Sequence, residues 1–62
     1  MFKNHIAKYR VWKGITQGEL AKKIGVSLTT LRDFERGERL PKYQIRQRLA
    51  EFFDVSPIQL WD

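Results

Sequence analysis

The chain has 62 residues, which is enough for only one domain, residues 1–62. Twelve residues are Lys or Arg and seven are Asp or Glu, so the chain has a net charge of +5. It contains no cysteine, and a single histidine cannot ligate a metal alone, which excludes disulfides and a metal site as supports for so small a core. The sequence has neither an apolar run of roughly 20 residues nor a signal-peptide pattern, so we expect a cytoplasmic protein without a membrane partner. Packed helices are the remaining source of stability.

The first two predicted helices have well-marked ends. The first is predicted over residues 4–12, because the side-chain oxygen of Asn4 can cap a helix start. The second is predicted over residues 17–24, because Thr16 and Glu19 have the spacing of a capping box. Glycines that can end a helix in the left-handed conformation follow both segments, at Gly14 and Gly25.

A third helix is predicted over residues 28–36, between a capping Ser27 and a terminating Gly37. Leu31 and Phe34 recur at i, i+3 spacing, so we expect both to face the core. The positions expected on the outer face of this helix are Leu28, Thr29, Arg32, Asp33 and Arg36.

The rest of the chain predicts one longer helix and one short turn. The longer helix is predicted over residues 43–53, with inward positions at Ile45, Leu49 and either Phe52 or Phe53. Ser56-Pro57 then has the pattern of a capped helix start with proline at the first helical position. It predicts a last turn that lays three apolar side chains over the core, Ile58, Leu60 and Trp61.

The second and third helices, joined by Gly25-Val26-Ser27, have the spacing of a DNA-binding helix-turn-helix. Such a turn sets two helices at roughly 90–120°, so the second can enter the major groove while the first crosses the backbone. The positive charge favours a nucleic-acid partner, although the same charge could simply prevent aggregation.

Specific residues strengthen this interpretation, namely Gln17-x-Glu19-Leu20-Ala21, Gly25-Val26-Ser27 and Glu35-x-Gly37. At these offsets the chain resembles the phage repressor and Cro-like helix-turn-helix regulators, the XRE type, over nearly its whole length and without an insertion. The resemblance implies an all-α, lambda repressor-like bundle of about five short helices. It also implies a sequence-specific regulator of transcription, a Cro/C1-type repressor, that reads double-stranded DNA with the helix at 28–36.

The resemblance assigns roles to individual residues. It implies that Gln17 binds a backbone phosphate, aided by the amides at the start of its helix, and that Arg39 and Lys42 lie near phosphates. It implies an ion pair between Arg10 and Glu35. The groove-facing positions that it implies are Ser27, Leu28, Thr29, Arg32 and Asp33. This chain departs from the family's usual pattern at Trp12, Leu28, Asp33 and Arg46.

Two of the groove-facing positions leave alternatives open. Leu28 either packs beside the helix cap or touches the methyl group of a thymine. Asp33 can accept a hydrogen bond from cytosine N4 or orient a neighbouring arginine, or it can form a local ion pair with Arg32 or Arg36.

Other functional classes fit the sequence less well. An enzyme needs a nucleophile with a base, paired carboxylates or a metal, and it also needs a substrate cleft. So short a chain does not build such a cleft. We therefore expect no catalysis, no cofactor and no small-molecule ligand. An antitoxin-like or adaptor module with the same fold is the alternative function. We also expect two copies to pair on DNA, using Trp12 or the last turn with Trp61 and either Ile58 or Leu60.

Overall fold

The computed structural model describes residues 2–61, and this part of the chain consists of helices without strands. The helices are α1 (Ile6–Lys13), α2 (Gln17–Ile24), α3 (Leu28–Arg36), α4 (Tyr43–Phe53) and α5 (Pro57–Trp61). The predicted all-α bundle is therefore confirmed. Within residues 2–61 the structure contains no helix that is both long and apolar enough to cross a membrane.

Helix α1 starts two residues later than predicted, at Ile6, and ends one residue later, at Lys13. Asn4 lies one residue before the N-cap His5, and its side-chain oxygen accepts a 3.0 Å hydrogen bond from the Ile6 amide, the first amide of the helix. The side-chain nitrogen of Asn4 donates to the carbonyl of Phe34 at 2.7 Å. This second bond holds Asn4 outside the helix and ties the start of the chain to α3.

Short-range capping explains the ends of α2 and α3. The Thr16 hydroxyl accepts from the Glu19 amide at 3.1 Å, and the Glu19 carboxylate accepts from the Thr16 amide at 2.8 Å, which confirms the capping box. The hydrogen bond from the Thr16 backbone lowers the pKa of Glu19 below its ordinary value. At α3, the Ser27 hydroxyl accepts from the Thr30 amide at 3.1 Å.

All five helices contribute to one apolar core. Its buried members are Ile6, Leu20, Ala21, Ile24, Leu31, Phe34, Leu49, Ala50, Phe53 and Leu60. Tyr9 and Phe52 pack against it, and their rings lie 5.7 Å and 5.2 Å from that of Phe53. The predicted inward faces of α3 and α4 are thus confirmed, and these aromatic rings stabilise the core by packing.

The last turn differs from the prediction. Leu60 is fully buried and Trp61 half-buried, but Ile58 is 72% exposed. Successive helical residues turn by about 100°, so Ile58 and Leu60 project in nearly opposite directions and cannot both reach the core. The prediction that Ile58 covers the core is wrong.

Arg46 falls near positions of α4 that are often apolar in the proteins that the chain resembles, and its side chain is half-buried. Its guanidinium donates to the Pro41 carbonyl at 2.7 Å and lies 5.9 Å from the ring centre of Tyr43. The half-buried stem can thus cover apolar surface while the charged group keeps polar and aromatic partners.

Candidate nucleic-acid interface

Helix α3 presents a polar, largely exposed face opposite its buried Leu31 and Phe34. The predicted groove-facing positions divide by exposure: Asp33 is half-buried, and the exposed ones are Ser27, Leu28, Thr29 and Arg32. The side chain that could touch a thymine methyl, Leu28, is 39% exposed, so it is available for either of its predicted roles.

The turn between α2 and α3 is held in place from both sides. Gly25 has a φ of +86° and, with Val26, donates its amide to the Ala21 carbonyl, which ends α2 in the left-handed conformation. On the α4 side, the Arg48 guanidinium donates to the Ile24 carbonyl at 3.1 Å. A cation at the end of α2 also complements the helix dipole, so α4 stabilises the end of α2 at which the turn begins.

The predicted pair between Arg10 and Glu35 lies behind this face. The Arg10 Nε donates to Glu35 Oε2 at 2.7 Å, and the two side chains are only 17% and 6% exposed. Arg10 also donates to the Ile15 carbonyl at 2.9 Å. The pair therefore joins α1, the segment before α2, and the end of α3.

Gln17 lies between this ion pair and the exposed face of α3. Its side-chain nitrogen donates to Glu35 Oε1 at 2.9 Å, and its side-chain oxygen accepts from Arg32 Nε at 3.4 Å. The half-buried amide therefore binds two protein groups in the free protein, a connection that spacing along the sequence does not reveal.

The two cations predicted near phosphates lie in the segment between α3 and α4, and both are exposed. Arg39 reaches back to α3, where it donates to the Thr30 hydroxyl at 3.4 Å. The same hydroxyl accepts from the Ser27 side chain at 2.9 Å. Lys42 is the residue preceding α4. Sequence reasoning missed Thr30, although its position three residues after the capping Ser27 is a local signal for such a contact.

Asp33 has no ion pair within 4.0 Å among residues 2–61, because its two cationic neighbours on α3 contact other groups. Arg32 donates to Gln17, and Arg36 lies 4.0 Å from Glu38 at an exposed site. The local ion pair predicted as one alternative for Asp33 is therefore not formed in the free protein.

Comparisons with known proteins agree with this geometry. Residues 6–60 match the family model described as helix-turn-helix. The chain is 40% identical to an uncharacterised HTH-type transcriptional regulator of Methanocaldococcus jannaschii, over 87% of this chain and 82% of that protein. It is 40% identical to YazB, an uncharacterised HTH-type transcriptional regulator of Bacillus subtilis, over 89% of this chain and 80% of that protein.

A third relative is RstR of Vibrio cholerae, named as a transcriptional repressor of the cryptic phage CTXphi. It is 35% identical over 97% of this chain and 54% of its own length. The family match covers α1 to α5 up to Leu60, which includes every position assigned to the interface above. The chain therefore belongs to the helix-turn-helix family, among the XRE-type DNA-binding transcriptional regulators.

Proposed function

We propose that this protein binds specific sites in double-stranded DNA by placing α3 in the major groove, and that it represses transcription from those sites in the cytoplasm. The observation that carries this proposal is the exposed face of α3. Leu28, Thr29 and Arg32 are exposed there, while the other side of the helix is buried in the core. A helix held this way can approach base edges closely. Repression is the activity named for the relative RstR.

The proposed interface separates base contacts from phosphate contacts. Thr29 and Arg32 are the exposed side chains on this face to which we assign hydrogen bonds with bases, and Ser27, Leu28 and Asp33 lie on or beside the same face. Gln17, Arg39 and Lys42 flank that face and would hold phosphates. The net charge of +5 favours association with DNA of any sequence.

Binding without catalysis is part of this proposal. Two carboxylates that could otherwise be candidates for acid-base chemistry already have structural partners. Glu19 completes the capping box of α2, and Glu35 holds Arg10 and Gln17.

The assignment of roles predicts two kinds of mutant behaviour. Lys42→Ala and Arg39→Ala should weaken binding to all duplexes alike. Each should also reduce the slope of the logarithm of the binding constant against the logarithm of the salt concentration by about one, because each would remove one phosphate contact. Arg32→Ala and Thr29→Ala should instead relax the base preference at one position of the site, lowering the free-energy discrimination between bases there by about 1–3 kcal/mol. Selection of bound duplexes from a random library defines the site, and titrations at several salt concentrations measure both effects.

Lys8→Ala is the matched control for the loss of one positive charge, because this exposed lysine lies on α1 and not among the residues of the proposed interface. Its ammonium group lies 4.9 Å from the ring centre of Trp12. This variant should change the salt slope less than Lys42→Ala. Uniform losses from all four interface variants would refute the division of roles. If the protein bound no duplex even at low salt, the antitoxin-like or adaptor function would replace DNA binding.

We further propose that two copies act together on DNA. One recognition helix reads only a few base pairs, and helix-turn-helix proteins extend their sites by pairing half-sites about 34–36 Å apart. The surface suited to such pairing is a groove of about 550 Å³ beside α5, with Phe2, Leu40, Ile58 and Trp61 among its lining residues. Leu60 is no longer a candidate, because it is fully buried.

The pairing proposal predicts mainly monomer in sedimentation at micromolar concentration and two bound chains on a palindromic site. Ile58→Asp should abolish the second binding event without unfolding the domain, because the side chain is 72% exposed. Trp12→Ala, which removes a 68% exposed aromatic on α1, tests the other candidate surface. A one-to-one complex on every enriched site would contradict pairing, and unchanged stoichiometry in Ile58→Asp would contradict the groove as its surface.

A further inference from the structure

Four side chains from α1, α2 and α3 form one continuous series of hydrogen bonds, in the order Arg10, Glu35, Gln17 and Arg32. The series begins at the half-buried ion pair and ends at an exposed arginine on the face of α3. Gln17 is the only amide in this series and the only member that both donates and accepts. Its orientation therefore decides whether the buried end is connected to the exposed end.

The carboxylate of Glu35 determines that orientation. An ionised carboxylate only accepts hydrogen bonds and a guanidinium only donates them. Gln17 must therefore turn its NH2 group toward Glu35, at 2.9 Å, and its oxygen toward Arg32, at 3.4 Å. The flipped amide would set two acceptors against each other at Glu35 and two donors against each other at Arg32. Both costs favour the observed orientation.

This orientation has a consequence for the free part of Arg32. Its Nε–H is bonded to the Gln17 oxygen, and its two terminal NH2 groups form no hydrogen bond within residues 2–61, so both remain available to a ligand. Those two groups form the fork that matches O6 and N7 of guanine in the major groove. A side chain already held by one hydrogen bond also loses less conformational freedom when it binds.

We propose that Gln17 is a positioning residue for Arg32, and that Arg32 so held reads a guanine end-on through its terminal NH2 groups. This inference rests on the proposed function, in which α3 enters the major groove. It gives Gln17 a role in base choice in addition to its proposed phosphate contact, for which its second amide hydrogen remains. Glu35 acts one step further away, by holding the Gln17 amide.

The test measures discrimination at the base position that Arg32→Ala identifies in the enriched site. The wild-type protein should prefer guanine there over each other base by about 5-fold to 150-fold. Gln17→Met removes the amide but keeps a side chain of similar length, and it should lower this preference several-fold at that position alone. In the double variant Gln17→Met/Arg32→Ala, the preference should equal that of Arg32→Ala. Gln47→Met, the same change on α4, should leave the preference unchanged.

A second measurement needs no DNA. In the free protein, the NMR signal of the Arg32 Nε–H should shift in Gln17→Met and stay in place in Gln47→Met. An unshifted signal in Gln17→Met would overturn the proposed link between the two side chains, whether or not the protein binds DNA.

The DNA measurements separate failure of this inference from failure of the proposed function. If Gln17→Met weakened binding to all four bases equally, Gln17 would contact phosphate only and the positioning role would be overturned. A base other than guanine at the identified position would overturn the end-on reading. If no duplex were enriched at all, the proposed function itself would fail, and the assignment of guanine with it.

Discussion

Glu35→Ala is expected to destabilise the folded domain by clearly more than the ~1 kcal/mol typical of an exposed ion pair, because it leaves the half-buried guanidinium of Arg10 without its counter-ion. The Arg10 side chain is only 17% exposed and keeps one partner, the Ile15 carbonyl at 2.9 Å. Replacing both partners with apolar residues of similar size, as in Arg10→Met/Glu35→Leu, should recover part of the loss, because no unpaired charge is then buried. Urea unfolding at low temperature measures both free energies of unfolding.

The exposed pair between Arg36 and Glu38 is the internal control for this prediction. Its atoms are 4.0 Å apart and its side chains are 66% and 55% exposed, so removing either partner should cost about 1 kcal/mol or less. A double-mutant cycle on Arg10 and Glu35 should give a clear coupling energy. Additive single and double effects would show that the two side chains do not stabilise the fold as a pair.

Gly37→Ala is the second change from which we expect a large loss of stability. Gly37 has a φ of +76°, and a methyl group there would lie 2.9 Å from the Phe2 carbonyl oxygen and 3.2 Å from its carbon. Substitution should therefore cost about 1–2 kcal/mol for the left-handed conformation, plus the energy of displacing the first residues of the chain. That displacement also threatens the 2.7 Å hydrogen bond from the Phe2 amide to the Gly37 carbonyl.

Gly14→Ala isolates the conformational part of this cost. Gly14 has nearly the same φ, +72°, but a methyl group there would have no atom within 4 Å to meet. Thermal or urea unfolding should thus show a clearly larger loss for Gly37→Ala than for Gly14→Ala. In a chain lacking residues 1–3 the two substitutions should cost the same, because Phe2 is gone. Equal losses in the full chain would contradict a steric role for Phe2.

Most helix ends could be predicted because the interactions that form them span three or four residues. Thr16 and Glu19 satisfy each other's amides, and Ser27 caps α3 in the same way. The family resemblance added the ion pair between Arg10 and Glu35, which local spacing does not reveal because 25 residues separate the partners. The fold and the exposed face of α3 follow from signals of these two kinds.

Three features were not predicted from the sequence, and the first two of them depend on contacts between distant segments. Gln17 donates to Glu35, 18 residues away, and accepts from Arg32. The Phe2 backbone packs on Gly37, and Ile58 projects into solvent while Leu60 fills the core. Residue type and spacing indicate which chemical groups a side chain can bond to, but several residues in the chain carry the same group. The packing of α1, α2 and α3 places one of those residues within hydrogen-bond distance and keeps the others beyond it. This selection exists only in the folded chain.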